Sequence, residues 1–358
     1  MTDFLVVGGG IAGASAGARL SEFGTVTLLE RESSLGYHAS GRSAALYEAN
    51  YGLPTTVALN VASRDELWSR EVLSPRGLLL LGKADEAEAF EDERRKMKLE
   101  TLGRNEALDL VPILAGDVER FAYDSEAWDI DTEKLLRGFA REITDAGGTI
   151  VTGATVSGIR RTATGWAVTA GETYEAKVLI NAAGAWVDGI ARMAGIAPLG
   201  VTPYRRSMAR IPAPGGHDVS RWPMTFGAGE SWYSKPDAGA LIVSPCEEHA
   251  AEPHDAWADD MVLAEGLARY EAYMTEPVTR MLANWAGLRT FSPDRSLVLG
   301  PSPQDRSFVW SACQGGYGFQ TSAAASRLVA DLVAGRAPEL DADVVAALVP
   351  DRFEKAFS

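Results

Sequence analysis

The first thirty residues place the strongest constraint on this chain, because they read as strand, glycine turn, helix and second strand. The apolar run 4–7 leads into Gly8, Gly10 and Gly13, which supply the spacing G-x-G-x-x-G. In such a turn the first glycine bends the chain, the second lets the backbone approach a pyrophosphate, and the third lets the helix pack on the sheet. The start of the helix offers free N–H groups and a partial positive charge to phosphates. The segment therefore predicts a βαβ unit that binds a dinucleotide.

Glu30 follows the second predicted strand, 25–29, at the position where a carboxylate accepts both ribose hydroxyls of an adenosine. An acid there disfavours a 2′-phosphate, so NAD or FAD fits better than NADP. The glycine spacing by itself is a weak signal, and a glycine-rich turn without a ligand is the alternative. The register of strand, helix, second strand and acid argues against that alternative.

The overall composition is that of a globular enzyme, since 46% of the 358 residues are hydrophobic and 23% are charged. This length allows a large core and predicts two domains. The net charge of −15 argues against nucleic acid or an anionic membrane as a partner, because both would repel it. Cys246 and Cys313 are too few for a disulfide framework, and the run 4–7 is too short for a signal peptide or a membrane span. We therefore expect a cytoplasmic protein.

Apolar spacing predicts helices and strands through the first half of the chain. A helix over 53–73 is expected to bury Val57, Leu59, Val61, Leu67 and Trp68. The pattern then predicts a buried strand at 78–81, a charged helix over 86–102, and a helix over 131–146 capped by Asp131 or Thr132.

The second half is richer in strands and prolines, as is typical of an antiparallel sheet. Candidate strands cover 149–160, 166–170, 174–181, 202–211, 231–235, 240–243, 285–291, 297–300 and 307–312. A helix is predicted near 258–274, and an alanine- and leucine-rich helix closes the chain through Val333. No internal repeat or linker is visible, so the two domains are expected to be interwoven.

Runs of small residues and glycines recur at separated places in the chain, and small side chains let a flat ring lie close to the backbone. They occupy 31–45, 181–186 and 314–322. A flexible loop is the alternative for the first run, which lies where a ribityl chain and second phosphate would pass if FAD occupies the glycine motif.

These motifs, in this order and together with Trp285-Ala-Gly-Leu-Arg-Thr, resemble the D-amino-acid oxidase superfamily of FAD enzymes, and within it the bacterial D-arginine dehydrogenases, over nearly the whole chain. The resemblance implies an α/β (α+β) fold, in which a Rossmann-like FAD-binding domain is interwoven with a substrate domain on an antiparallel or mixed β-sheet. The FAD domain is expected at 1–50, 132–200 and 290–358, and the substrate domain at 51–131 and 201–289. The implied reaction removes hydride from the Cα–H of a D-amino acid to flavin N5, giving an imino acid that hydrolyses to a 2-oxo acid and ammonia.

The resemblance also implies a set of FAD-contacting residues, with the cofactor held non-covalently. The set is Gly8, Gly10, Ile11, Ala12, Gly13, Glu30, Arg31, Arg42, Ser43, Ala44, Ala45, Val156, Ala183, Gly184, Trp186, Gly287, Arg289, Gly315, Gly316, Tyr317, Gly318, Phe319, Gln320 and Thr321. The helix that begins near Gly318 is expected to aim its positive end at the flavin N1 and O2 region.

Arg289 is the candidate that the residues themselves favour for holding a substrate carboxylate. Its planar fork offers bidentate, permanently charged donors, and its apolar neighbours would leave an unpaired charge without a ligand. By resemblance, Arg206 joins it, Tyr233 and Tyr51 add phenolic hydrogen bonds, and Gly316 places a carbonyl near the substrate amine. A surface ion pair is the ordinary role for an arginine on a strand.

Leu46 and Leu78 depart from the pattern of D-arginine dehydrogenases, which have a histidine and a glutamate there. A cationic substrate side chain would lose its counter-ion in an apolar pocket. We therefore expect a neutral or hydrophobic D-amino acid as substrate.

Several alternatives stay open at the level of sequence. The substrate could be a secondary amine or a glycine-like amino acid, or the chain could bind flavin without turnover, or use NAD. A metal site among Glu247, Glu248, His249, His254 and Asp255 is disfavoured, because that acidic run reads as a solvated loop. The electron acceptor, oxygen or a quinone, is left undetermined, and no protein base for the substrate amine is evident.

Overall fold

The computed structural model of the protein describes residues 1–356, so the last two positions of the predicted FAD domain, 357 and 358, lie outside the described residues. The strands are β1 Thr2–Val7, β2 Val26–Leu29, β3 Leu46–Tyr47, β4 Leu73–Pro75, β5 Leu78–Lys83, β6 Glu100–Thr101, β7 Val118–Asp124, β8 Trp128–Ile130, β9 Thr149–Val151, β10 Gly158–Arg161, β11 Trp166–Ala170, β12 Glu172–Asn181, β13 Thr202–Pro212, β14 Met224–Gly227, β15 Tyr233–Asp237, β16 Ala240–Ser244, β17 His249–Ala250, β18 Ala283–Phe291, β19 Val298–Pro301 and β20 Phe308–Ala312. The helices are α1 Ile11–Leu20, α2 Pro54–Ser69, α3 Ala87–Lys96, α4 Arg104–Leu110, α5 Thr132–Asp145, α6 Val187–Met193, α7 Asp260–Glu271, α8 Gly318–Ala334 and α9 Ala342–Ala346.

A mixed sheet forms the first layer of the fold, in the order β10-β11-β12-β1-β2-β9. Strand β1 is parallel to both β12 and β2, and β20 extends the parallel part beside β12. Alternate residues of β1 face opposite sides, because successive side chains of a strand point in opposite directions. Phe4 and Val6 pack with helices α1, α2, α5 and α8, while Leu5 and Val7 pack on the side of α6.

A second sheet runs in the order β17-β13-β16-β15-β14-β5-β7-β6, with β18 paired to β13. Its pairs are antiparallel except that β14 is parallel to β5. One face, with Leu79 and Leu81, packs beneath α4 and α7, and the other face, with Leu78 and Leu80, joins Leu46 of a small third sheet. The mixed α/β fold expected from the sequence is confirmed; the proposed division into domains stays a prediction.

Helix α2 differs from the sequence prediction in the face that it buries. Leu59 and Leu67 are buried as expected, but Val61 and Trp68 are 60% and 52% exposed. The polar side chain of Asn60 lies on the buried face of α2 instead. It is fully buried, and its side-chain amide donates to the backbone oxygens of residues 48, 49 and 51. Apolar periodicity cannot anticipate a helix whose buried face satisfies loop carbonyls.

The charged helix predicted over 86–102 is shorter in the structure. Helix α3 covers Ala87–Lys96, and Lys98 adopts a positive φ of 57° before the short strand β6. By contrast, α5 begins as predicted, since the Asp131 carboxylate accepts a hydrogen bond from the Lys134 N–H at 2.9 Å. Within residues 1–356, the helices are all too short or too polar to cross a membrane.

Candidate functional site

The glycine turn lies at the carboxyl ends of the parallel strands β1 and β2, where α/β sheets bind their ligands. Gly8 has a φ of +111°, and a Cβ at Gly13 would collide with the Gly8 carbonyl oxygen. This close approach requires glycine and sets α1 directly against the turn. The N-terminus of α1 therefore opens into the cleft beyond the sheet.

Glu30 is 7% exposed and is held in a fixed orientation on the cleft wall. Its Oε2 accepts the Gly9 N–H at 2.7 Å, and its Oε1 accepts the Glu32 N–H at 2.8 Å. Each carboxylate oxygen retains free lone-pair capacity for a further donor. The geometry suits the binding of paired ribose hydroxyls.

A first cavity lies between the two large sheets, and a second continues from it past the glycine turn. The cavities share the lining residues Gly10, Ala39, Ser40, Arg42, Ala182, Gly184, Gly287 and Leu288. Because their walls are common, they form one elongated cleft. The second cavity is the end with the glycine turn, Glu30 and Trp186, and the first is the end with Arg289 and Tyr233.

Arg42 closes one side of this cleft. Its Nη1 donates to the carbonyl oxygens of Ala256 and Ala286 at 2.8 and 2.9 Å, and its Nη2 lies 2.5 Å from Asp255 Oδ1. The segment around Asp255 is thereby bound to Arg42, and its residues His254 and Ala256 contribute to the wall of the second cavity.

Arg289 on β18 and Arg206 on β13 meet in the first cavity, brought there by neighbouring antiparallel strands. Arg206 is 4% exposed; its Nε donates to the Glu247 carbonyl at 3.0 Å, and its Nη2 lies 3.7 Å from Glu248 Oε1. Burial alone would lower the pKa of Arg289, but the surrounding acidic groups, Tyr51 foremost, raise it above its usual value. The Arg289 guanidinium is therefore charged at any physiological pH and can hold an anion.

Tyr51 joins the arginines from the segment after β3. Its hydroxyl donates to Glu230 Oε2 at 3.2 Å, and its ring contacts the Tyr317 ring with centroids 5.3 Å apart. Burial, and then the Glu230 charge, raise the pKa of Tyr51 well above its usual range. Tyr51 thus stays a neutral hydrogen-bond donor.

Glu230 is an exposed residue at the rim of the same cavity, with a positive φ of 48°. Beneath it, the Glu93 carboxylate of α3 accepts backbone N–H groups of Gly229 and Glu230, while burial raises the pKa of Glu93 to about 7. The rim turn is thereby supported from below by a carboxyl group that does not line the cavity.

Tyr233 and Cys246 complete the polar lining near the arginines. The Tyr233 hydroxyl donates to Met208 Sδ at 3.1 Å, a weak acceptor, so its lone pairs stay free for a ligand donor. Burial raises the pKa of Tyr233, and it raises the pKa of Cys246 to about 11. Neither group ionises at neutral pH.

The remaining wall of the first cavity is apolar. Its side chains come from the small sheet, from β5, β13 and β14, and from the turn after α3, and they are Leu46, Leu78, Met97, Met208, Met224 and Phe226. Leu78 on β5 lies beside Met224 on the parallel strand β14. This wall adjoins the arginines and offers no counter-ion of its own.

Lys235 on β15 holds the loop that carries Ala44 and Ala45 on the cavity wall. Its Nζ donates to the Ala44 carbonyl and, at 3.1 Å, to the Ala45 carbonyl, and it lies 2.7 Å from Asp129 Oδ1. Burial lowers the pKa of Lys235. The second sheet thus fixes the backbone of a cavity-lining loop through one buried cation.

The structure brings together nearly all the site residues predicted from the sequence. Arg289, Arg206, Tyr233, Tyr51, Gly316, Leu46 and Leu78 all line the first cavity. The predicted cofactor residues line one or both cavities, except three that lie behind the wall: Gly13, Tyr317 and Thr321. Thr321 is fully buried and its hydroxyl donates to the Tyr317 carbonyl within α8.

The acidic side chains considered as a metal site form ion pairs with separate arginines. Asp255 pairs with Arg42, and Glu248 with Arg295 at 2.8 Å. Across residues 1–356, there is no cluster of three or more His, Cys, Asp or Glu side chains arranged to hold a metal ion.

Sequence reasoning missed four lining or supporting residues, namely Glu48, Glu230, Lys235 and Cys246. Contacts such as that between Tyr51 and Glu230 join residues far apart in the sequence, so no local sequence pattern predicts them. The one available signal was Glu48, an acid that directly follows the apolar pair Leu46 and Tyr47.

Comparison with known proteins gives a consistent picture. The sequence model of the FAD dependent oxidoreductase family (DAO) matches residues 3–332. The glycine oxidase of Pseudomonas aeruginosa is 29% identical, with 94% of this chain and 96% of that protein aligned. The D-amino acid dehydrogenase of Xanthobacter autotrophicus is 26% identical over 59% of this chain and 50% of its own. The crystal structure of glycine oxidase from Geobacillus kaustophilus superposes with a TM-score of 0.82 at 23% identity, covering 96% of this chain and 97% of that one, which shows a shared fold.

Proposed function

Because the chain belongs to the DAO family of FAD-dependent oxidoreductases, we propose that it oxidises the Cα–N bond of a D-amino acid with a neutral or hydrophobic side chain. The products are an imino acid, which hydrolyses to a 2-oxo acid and ammonia, and reduced cofactor. The resemblance to the D-amino-acid oxidase superfamily is confirmed at the level of the family, and the choice of substrate within it is our proposal.

The residues that line the elongated cleft are chemically suited to bind FAD. The carboxylate of Glu30 suits the ribose, and walls of glycine and alanine leave room for a flat ring. The N-terminus of α1, whose first N–H donates to the Ser40 hydroxyl at 3.0 Å, lines the cleft and suits the pyrophosphate. The first residues of α8 also line the cavity and present their N–H groups to it. When bound, FAD supplies the acceptor for the hydride.

Arg289 and Arg206 hold the substrate carboxylate in this proposal. Two permanently charged forks that face one cavity can each donate paired hydrogen bonds to a carboxylate. Tyr51 and Tyr233 add neutral donors beside them, since burial keeps both phenols protonated. With its carboxylate so fixed, the substrate presents its side chain to the remaining wall.

The apolar wall of the first cavity is the observation that carries the proposed side-chain preference. Leu46, Leu78, Met224 and Phe226 can bury a hydrocarbon side chain, which gains roughly 25 cal/mol for each Å² removed from water. A guanidinium or ammonium group packed against these four side chains would lose its hydration without gaining a partner, because the carboxylates of the cavity, Glu48 and Glu230, are not part of this wall. The D configuration rests on the family resemblance and not on the geometry of the wall.

Anaerobic reduction of the holoenzyme by a panel of D- and L-amino acids tests the proposal. We expect the bound flavin to bleach with D-leucine, D-methionine and D-phenylalanine, and kcat/KM for these to exceed that for D-arginine. A preference for D-arginine would refute the assignment of the apolar wall, and reduction by L-amino acids alone would refute the D configuration. If no amino acid or amine bleached the flavin, the protein would bind FAD without turnover.

A secondary amine or glycine-like substrate is the second candidate, because glycine oxidases are among the relatives that match over nearly the full chain. Glycine and sarcosine lack a side chain that could use the apolar wall. Higher kcat/KM for glycine or N-methyl amino acids than for the hydrophobic D-amino acids would favour this candidate. Oxygen uptake during the same turnover would show whether oxygen serves as the electron acceptor.

A further inference from the structure

Glu48 is a buried carboxyl group on the wall of the first cavity that the proposed reaction does not use. It follows β3, is 2% exposed, and lines the cavity together with Ala45, Phe319 and Gln320. Its backbone N–H donates to Gln320 Oε1 at 3.0 Å, which fixes it against the start of α8. Glu48 therefore lies on the part of the wall assigned to the cofactor.

The Glu48 carboxyl group has few hydrogen bonds, which come from the backbone N–H groups of Asn50 and Tyr51 and from the Asn50 side chain. Its Oε1 receives a long contact of 3.4 Å from the Asn50 side-chain amide, and its Oε2 has no partner among the residues described, 1–356. A buried acid in this situation is costly as an anion, because neither a cation nor a full set of donors replaces the lost water. Its protonation state should then respond to any new charge in the cavity.

The groups around Glu48 come from each element packed against it. On its own segment these are Tyr47, Asn50 and Tyr51, and α2 contributes the Asn60 amide, which donates to the Glu48 carbonyl oxygen at 3.3 Å. Strand β7 contributes the Asp124 carboxylate, and α8 contributes the Gln320 amide. Burial, reinforced by Asp124, raises the pKa of Glu48 to about 7.

We propose that Glu48 is the proton-exchanging group of the cofactor wall, which takes up one proton from solvent when reduction adds negative charge to the cavity and returns it when that charge leaves. The step forms one O–H bond on Glu48 and transfers no electrons. A carboxylate and a new negative charge in one low-dielectric cavity repel each other, so reduction favours the protonated acid. The two events are therefore linked in both directions.

Other ionisable groups of the first cavity cannot take this role near neutral pH. The pKa values of Tyr51, Tyr233 and Cys246 are raised, so these groups already carry their protons. Glu230 lies exposed at the rim, where solvent screens its charge.

The midpoint potential of the holoenzyme, measured against pH by dye equilibration from about pH 5.5 to about pH 9, tests the proposal. If reduction by two electrons takes up one proton, the midpoint potential falls by about 30 mV per pH unit; if it takes up two protons, the fall is about twice as steep. We expect the wild type to follow the steeper slope above about pH 7 and Glu48→Gln to keep the shallow slope throughout. Glu48→Asp should restore a steep region.

Glu93→Gln is the matched control, because Glu93 also has a pKa raised to about 7 but lies off the cavity wall. It should reproduce the wild-type slopes. A wild type with a single shallow slope, or a Glu48→Gln variant that keeps the steep region, would overturn the proposal.

If Glu48→Gln failed to retain FAD, infrared difference spectra of the wild type would decide the matter. Reduction at about pH 8 should add the C=O band of a protonated carboxyl group, and absence of that band would overturn the proposal. The inference rests on FAD binding and not on the proposed substrate, since dyes and dithionite reduce the cofactor directly. Failure of the amino-acid panel would leave this test intact.

Discussion

Arg289 shows most directly how one residue can define the chemistry of the cleft. It is one of two cations of the first cavity, with Arg206, and the neighbouring phenols Tyr51 and Tyr233 keep their protons. Gly316 lies against it, because a Cβ there would come within 3.0 Å of Arg289 Nη1. The guanidinium is thus held by backbone packing as well as by charge.

Replacing Arg289 by lysine keeps the charge and removes the planar fork. Loss of one charge-assisted hydrogen bond costs roughly 1.5–3 kcal/mol, so we expect KM to rise on the order of 10- to 100-fold. The dependence of the flavin reduction rate on substrate concentration measures it. Arg327→Lys is the control, since Arg327 pairs with Glu22 at 3.0 Å away from the cavity and should leave KM unchanged.

Glu48 also gives a prediction for stability. Its pKa rises from 4.5 to about 7 on folding, so the wild type is penalised progressively as pH increases through that interval. At about 1.4 kcal/mol for each pH unit, the full penalty is about 3 kcal/mol. Urea unfolding should show Glu48→Gln gaining stability over the wild type between about pH 4.5 and about pH 7. The exposed acid Glu133 serves as control, and a pH-independent gain for Glu48→Gln would contradict the prediction.

At the scale of secondary structure, the sequence predicted elements best where local chemistry determines them. The turn from Gly8 to Gly13 and the capped start of α5 are examples, because glycine geometry and a side-chain cap act within a few residues. The buried face of α2 was predicted wrongly at Val61 and Trp68, since polar side chains there bond to a loop. The arginines could be proposed from chemistry, whereas Glu230 reaches Tyr51 only through the folded chain.

The cap of α5 can be tested with one substitution at each end. Asp131→Ala removes the acceptor of the Lys134 N–H and should cost about 1 kcal/mol of unfolding free energy. Asp145→Ala removes a negative charge from the last turn of the same helix, where it is unfavourable, and should be neutral or slightly stabilising. Chemical denaturation measures both. If the two substitutions lowered the unfolding free energy equally, the role of Asp131 as the cap would be contradicted.

The segment around Asp255 gives a prediction for cofactor retention. Its ion pair with Arg42 is solvent-exposed on the Asp255 side and is worth at most about 1 kcal/mol, so Asp255→Ala should weaken FAD binding less than about 5-fold. Arg42→Ala also removes two hydrogen bonds to buried carbonyls and should weaken it more than about 10-fold. Recovery of flavin fluorescence on dilution measures release. If Asp255→Ala weakened FAD binding more than Arg42→Ala does, this prediction would be wrong.

For the whole molecule, the net charge of −15 governs encounters with charged electron acceptors. Ferricyanide is an anion, so we expect its rate of re-oxidising the enzyme to rise with ionic strength as the repulsion is screened. A neutral quinone should react at a rate that salt leaves unchanged. Stopped-flow measurements in about 0.01 and about 0.2 M salt compare the two. A ferricyanide rate that falls with salt would reveal a local positive entrance that the net charge conceals.

The arginines and most of the apolar wall of the first cavity lie on different strands of the second sheet. Arg206 and Arg289, which we propose bind the carboxylate, lie on the paired strands β13 and β18. Leu78, Met224 and Phe226 of the apolar wall lie on the pair β5 and β14, with β15 and β16 between the two pairs, and only Met208 of that wall shares β13 with Arg206. Mutations that reshape the apolar wall therefore need not disturb the arginines. A lineage with this fold can exchange one amino-acid side chain for another as its substrate while it retains recognition of the amino-acid backbone, which makes substrate range an independently evolvable trait.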